Sequence, residues 1–183
     1  MTRDEALQLV RRYLKSENLV KHVIATGACM RRLAPKFGGD PDRWELAGLL
    51  HDLDYEWTKD DFERHARETV RILREDLGFQ DEEILNAILA HAEKKPLETP
   101  MERVLYAVDP TTGFIVACAL MHPEKRLAAL DLGFMKRRFK EKRFARGANR
   151  DQIRSIEQAG LDLDTFLTEC LEAMKEVHQD LGL

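Results

Sequence analysis

The sequence predicts an all-α fold, and three observations carry that reading. Apolar residues recur at helical spacing through nearly all of the 183 residues. No stretch alternates apolar and polar residues for long enough to make a strand. Glycine (10) and proline (6) are scarce and aromatics make up 7%, a composition that suits helices better than turn-rich sandwiches or barrels. The 44% hydrophobic and 34% charged residues supply both a core and a solvated surface. That balance excludes a disordered chain, a disulfide miniprotein and a collagen-like repeat.

The elements follow in order. A first helix covers about residues 3–15, and Ser16 or Asn18 caps a second that runs to about Ala34, before Pro35 and Gly38-Gly39. Asp40-Pro41 reads as a cap with a first-turn proline, opening a third helix through Trp44 to His51. A fourth spans about residues 59–76 and ends at Gly78. Asp81-Glu82-Glu83 opens a fifth, since acidic side chains suit the positive helix end, and it runs to about Ala92. Pro96 and Pro100 bracket a loop before a sixth, about residues 101–121, which Pro110 is expected to kink or divide because proline lacks the amide donor. Two or three further helices complete the chain, the last over residues 163–180. The whole reads as one domain, residues 1–183, with a functional core at about 17–121 and a C-terminal helical extension at about 122–183.

Charge and cysteines narrow the function classes. The net charge of −4 is too acidic for a general nucleic-acid binder. Residues 136–150 hold eight basic residues, Lys142 among them, against Glu141 alone. That run is either an anion-binding patch or a solvated face over Phe134, Phe139 and Phe144, and charge runs are usually solvated faces. Cys29, Cys118 and Cys170 are odd in number and far apart, as expected of free thiols in a reducing compartment. The start carries acidic residues where a signal peptide needs basic and apolar ones. The longest apolar stretch, 111–121, is short of the roughly 20 residues of a membrane span. A cytoplasmic protein without a membrane partner is expected.

The informative residues are polar ones in apolar phase. On the second helix His22 shares a face with Leu19, Val23, Thr26, Met30 and Leu33. On the fourth, His65 falls in phase with Phe62, Ala66, Thr69 and Leu73. The fifth aligns His91 with Ile84 and Ile88, and the sixth aligns Asp109 with Leu105, Val108, Thr112 and Val116. A buried charge or imidazole is costly unless paired or metal-bound. One inward histidine is accounted for by a backbone carbonyl, and Asp109 alone by a cap on a helix starting at Pro110. Four such positions on four helices require more. His51-Asp52 completes the set at the end of the apolar run Leu46-Ala47-Gly48-Leu49-Leu50. Neighbouring helical side chains diverge by about 100°, so an imidazole and a carboxylate on one turn can reach one metal, or the carboxylate can bridge two. Imidazole with carboxylate suits Fe, Mn, Zn or Ni, while Mg prefers more oxygen.

These residues resemble the HD-domain metal-dependent phosphohydrolases, an all-helical superfamily with ordered His…His-Asp…Asp ligands. The matching positions are His22 in Leu-Val-Lys-His-Val, His51-Asp52 in Gly-Leu-Leu-His-Asp-Leu-Asp-Tyr-Glu, and Asp109 in Ala-Val-Asp-Pro-Thr-Thr-Gly. His65 and His91 fall where the two-metal branch places two further histidines, and the segment is similar to its di-iron dinucleoside polyphosphate hydrolases. The resemblance implies a compact helical HD bundle in which His22, His51 and Asp109 hold one divalent metal and His65 and His91 a second. Asp52 is implied as the bridging, catalytic residue that orients the attacking water. One or two metals are expected, Fe or Mn first, with Zn, Ni or Mg as other candidates.

Other branches fit less well. Guanosine-tetraphosphate hydrolases carry Glu-Asp where this chain has Tyr55-Glu56, helical 5′-nucleotidases carry a Glu at the position of Tyr55, and the Gly-Tyr-Pro elements of cyclic-dinucleotide phosphodiesterases are absent. The expected activity is hydrolysis of a phosphomonoester or phosphoanhydride of a nucleotide-like small molecule. An HD-type di-iron oxygenase and a non-catalytic nucleotide sensor are the alternatives. Lys94 and Lys95, just past His91, are candidates to meet a substrate phosphate, Lys94 first. Asp54 reads as a solvated loop carboxylate, with a ligand-supporting or proton-accepting group as its alternative, and His122 and His178 read as surface residues. Substrate identity and oligomeric state are not encoded in any motif.

Overall fold

The structure is a computed structural model that describes residues 1–141 and 143–183, and Lys142 of the basic run lies outside the described residues. No strand occurs among the described residues. Helix α1 (Arg3–Tyr13) opens with a reciprocal cap in which Thr2 and Glu5 satisfy each other's backbone N–H groups. Helix α2 (Glu17–Leu33) follows without a side-chain cap from Ser16, whose N–H instead donates to Glu56. Helix α3 (Pro41–Leu50) starts as its sequence dictates, with Asp40 accepting from the Arg43 N–H and Pro41 in the first turn.

Helices α2 and α3 lie backbone to backbone at Gly27 and Gly48. A Cβ on Gly48 would come within 2.7 Å of the Gly27 backbone, closer than any real carbon–carbon contact, so only glycine permits this crossing. The approach sets the carboxyl end of α3 beside His22 on α2.

The expected fourth helix is broken. Helix α4 (Tyr55–Thr58) is one turn long, residues 59–66 form turns, and α5 (Arg67–Arg71) continues into a wider turn at Ile72–Asp76. Ala66 takes φ 66°, a conformation that no α-helix contains. This break turns Phe62 outward, 56% exposed, while His65 stays buried. The helical phase that put both on one face therefore holds for His65 alone.

Helix α6 (Glu82–His91), capped by Asp81, leads into α7 (Pro100–Met121), which opens with a Thr99–Glu102 reciprocal cap. Pro110 neither divides α7 nor starts a new helix. The Tyr106 carbonyl, which would have accepted from residue 110, accepts from the Gln152 side-chain amide at 2.8 Å instead. A side chain thus replaces the donor that proline lacks, and Asp109 sits in mid-helix rather than at a cap. With 22 residues and mean hydropathy 1.6, α7 is long and apolar enough to cross a membrane, contrary to the shorter stretch read from the sequence. Here it is the central core helix, carrying the buried Leu105, Val108, Phe114 and Ile115.

The C-terminal residues form α8 (Leu132–Phe139), α9 (Arg150–Arg154), α10 (Leu163–Glu176) and α11 (His178–Leu181). The last two replace one expected helix, interrupted at Val177. One apolar cluster joins Phe166, Leu167 and Met174 of α10 to Val23 and Met30 of α2 and to Phe114 of α7. All three cysteines are free and buried. Within the basic run, Arg150 donates to the carbonyls of Phe139, Phe144, Ala145 and Ala148, and its guanidinium lies over the Phe114 ring. Lys136 pairs with Asp164 and Arg138 with Glu141. These residues of the run stabilise the extension itself.

Candidate metal centre

The six sequence-derived residues meet at one place. His22 comes from α2, His51 from the end of α3, His91 from the last position of α6, Asp109 from the middle of α7, and His65 from the turn segment before α5. Asp52 lies at the centre. Its Oδ2 is 3.6 Å from His22 Nε2 and 3.5 Å from His51 Nε2, while its Oδ1 is 3.5 Å from His65 Nε2 and 3.4 Å from His91 Nε2. Asp109 Oδ1 completes the first side, 3.1 Å from His22 Nε2 and 3.9 Å from His51 Nε2. His51, Asp52, His65 and His91 are buried, and Asp109 keeps a partly exposed side chain.

Every one of the four imidazoles is oriented by its other nitrogen. His51 Nδ1 bonds the Gly48 carbonyl at 2.8 Å and His91 Nδ1 the Ile88 carbonyl at 2.5 Å, each one turn back on its own helix. His65 Nδ1 bonds Asp54 Oδ1 at 2.9 Å. His22 Nδ1 meets Thr112 Oγ1 at 3.1 Å, and because that hydroxyl donates to the Asp109 carbonyl, it accepts from the imidazole. Carbonyl, carboxylate and committed hydroxyl all require the proton on Nδ1. Four Nε2 lone pairs are thereby aimed at Asp52, the arrangement that metal-ligating histidines adopt.

The donor set fits a cation. His91 Nε2 is fully buried and has no hydrogen-bond partner, an arrangement that costs free energy unless something else satisfies the lone pair. His22 and His51 bring their Nε2 atoms within 3.2 Å of each other, a separation at which two lone pairs repel unless a proton or a metal ion lies between them. The ligand atoms form two triplets that share Asp52, namely His22–His51–Asp52 and Asp52–His65–His91. Mixed imidazole and carboxylate ligation suits divalent transition metals.

Electrostatics in the metal-free protein point the same way. Burial pushes the His51 imidazole pKa down, but Asp52 and Asp109 outweigh it and raise it to about 9. Burial pushes the Asp52 carboxyl up, and the surrounding His51, His91 and His22 overcome this and hold it below the usual range. Asp109 is held low by His22 and His51 against the same opposing burial. A proton on His51 thus occupies the electrostatic role of a cation.

Several residues depart from the sequence reading. Asp54 is fully buried and not a solvated loop carboxylate: it accepts from His65, from the Thr69 N–H at 3.0 Å, and from Thr58. Spacing alone did not reveal it, because the turn that brings residues 54 and 65 together is invisible to helical periodicity. Thr112 was in phase with Asp109 but carried no chemical signal. Glu56 is held by the Ser16 N–H, whereas Tyr55 packs its ring edge-on to His65, with 5.3 Å between centroids.

A cavity of about 290 Å³ opens on the His65–His91 side, bounded by Tyr55, Lys59, Phe62, Tyr106 and Gln152. The Lys94 ammonium lies 3.5 Å from the centroid of Phe62 at its rim. Lys95 points elsewhere, bonded to Glu98 and Glu102. His122 packs on Phe134 and His178 is exposed, both apart from the cluster.

The HD domain family profile matches residues 19–127, a span that includes all six clustered residues. Two curated relatives are similar to this chain, the symmetrical bis(5′-nucleosyl)-tetraphosphatases of Bacillus subtilis strain 168 and of Halalkalibacterium halodurans. Each is 27% identical over 128 residues, covering 60% of this chain and 68% of the relative. No solved structure matches at a significant level. A profile match over more than half of the chain, onto a cluster built from that family's own ligand types, has one outcome: the chain belongs to the HD domain family and is a metal-dependent phosphohydrolase.

Proposed function

We propose that residues 1–183 form one domain that hydrolyses a phosphoanhydride of a nucleotide-like substrate, a dinucleoside polyphosphate above all, at a two-metal centre bridged by Asp52. The observation that carries this reading is the division of the Asp52 carboxylate, one oxygen toward His22 and His51 and the other toward His65 and His91. A single-metal site has no need of that symmetry. The names of the two relatives support the substrate class.

In this reading His22, His51 and Asp109 would hold the first metal, and His65 and His91 the second. Fe or Mn suits the ligand set best. Bound divalent metals would supply hydroxide at neutral pH, because they lower the pKa of a ligated water toward about 7, and would offset charge building on phosphorus. Asp52 orients the attacking water. Lys59, which lines the cavity, and Lys94, which lies over Phe62 at its mouth, would meet the negative charge of the phosphate chain, and the buried Asp54 and Thr112 keep His65 and His22 in their ligating tautomers.

The experiment is metal analysis of the purified protein, followed by phosphate-release assays on diadenosine tetraphosphate and a panel of phosphorylated metabolites. Metal-dependent hydrolysis is expected, removed by chelation and restored by Mn or Fe. A metal-loaded protein that turns over no phosphorylated compound contradicts the proposal.

A further inference from the structure

Phe62 stands in an unusual place for a large apolar ring. It is 56% exposed at the mouth of the cavity beside the cluster, although Lys94 already lies over it. The break at Ala66 is what turns it out of the core. Hydrolysis of phosphate has no use for an exposed ring, but a nucleobase does, since every base presents a π-face to stack.

Two other residues that line the cavity, Gln152 and Glu93, present acceptors. Gln152 bonds a carbonyl, that of Tyr106, so its nitrogen end is held there and its oxygen end is left as an acceptor. Glu93 accepts from the Tyr106 hydroxyl through Oε1, and among the described residues no donor meets its second oxygen. Gln152 and Glu93, which both line the cavity, thus offer acceptors there, a match for an exocyclic amino group and a mismatch for a carbonyl at that edge of a base.

We infer that this cavity is a nucleoside subsite, in which Phe62 stacks on the base while Gln152 and Glu93 accept hydrogen bonds from its exocyclic amino group. The inference rests on the nucleotide reading above and adds to it a base preference: amino-bearing bases over those that carry a carbonyl there.

Calorimetric titration of the manganese-loaded full chain tests this without depending on turnover. The probes are adenosine diphosphate, inosine diphosphate and inorganic diphosphate. Adenosine diphosphate is expected to bind at least about tenfold more tightly than either of the others. Phe62→Ala should cut the adenosine diphosphate to diphosphate affinity ratio about tenfold, and Phe62→Trp should keep it. Equal affinity of the wild-type protein for all three probes overturns the subsite, whatever the variants do. So does a folded Phe62→Ala variant with an unchanged ratio. Absence of phosphate release in the separate assay counts against the hydrolase reading alone and leaves the subsite to the binding data.

Discussion

His65 Nδ1 lies 2.9 Å from a carboxylate oxygen of Asp54, a residue with no solvent exposure. The other Asp54 oxygen accepts from the Thr69 N–H, and the Asp54 N–H donates to Thr69 Oγ1. This reciprocal clasp fastens the irregular segment 59–66 to the start of α5 and fixes the His65 tautomer. Asp54→Ala is therefore expected to weaken metal binding on the His65–His91 side by about 10–100-fold while sparing the His22–His51 side. Metal titration by calorimetry reads both sites. Two unchanged affinities would show that Asp54 does not position the ligand.

The Gly27–Gly48 crossing makes a second prediction. Gly48→Ala forces a methyl group into the α2 backbone, and neither helix can yield without moving His22 away from His51. A loss of about 1–3 kcal/mol is expected, measured by chemical unfolding, together with lower activity. Gly113 is the control: it lies in α7 with open space around its Cα. Gly113→Ala should be neutral or stabilise the fold by up to about 1 kcal/mol. Similar losses in the two variants would contradict the close-approach account.

Much of this was legible in the residues themselves. The helical fold, most helix starts and the inward phase of His22, His91 and Asp109 follow from periodicity, caps and prolines, since those signals are local. His65 was found by a helical phase that the backbone does not have there. It is buried because Asp54 and the Ala66 turn place it, and both features depend on contacts between residues distant along the chain. The continuity of α7 through Pro110 depends likewise on Gln152, 42 residues further on, and no local rule anticipates that partner.

The Pro110–Gln152 relationship can be isolated with a double-mutant cycle. Gln152→Leu leaves the Tyr106 carbonyl without its donor and should cost about 1–3 kcal/mol. Pro110→Ala restores a backbone N–H for that carbonyl, so in its presence Gln152→Leu should cost much less. Additive losses in thermal unfolding would mean that the amide is not a substitute donor.

The raised pKa of His51 gives a pH prediction for the chelated protein. A folded-state pKa near 9, above the ordinary 6.5, stabilises the fold fully below about pH 6.5, and that contribution disappears as the pH rises through about 9. The melting temperature of the metal-free protein should therefore fall between pH 6.5 and 9. The metal-loaded protein should not follow, because ligation requires the deprotonated ring. Parallel pH profiles for the two forms would refute this.

Phosphate release by Asp52→Ala tests the central claim most directly, because Asp52 faces all four imidazoles. Turnover of the best phosphorylated substrate should drop by at least about 10²–10⁴-fold, as expected when a group that positions water and charge is removed, and the circular dichroism spectrum should stay helical. The exposed His178 serves as the reference, and His178→Ala should match the wild-type protein in both rate and melting temperature. Near-native turnover by a folded, metal-loaded Asp52→Ala protein would contradict the account.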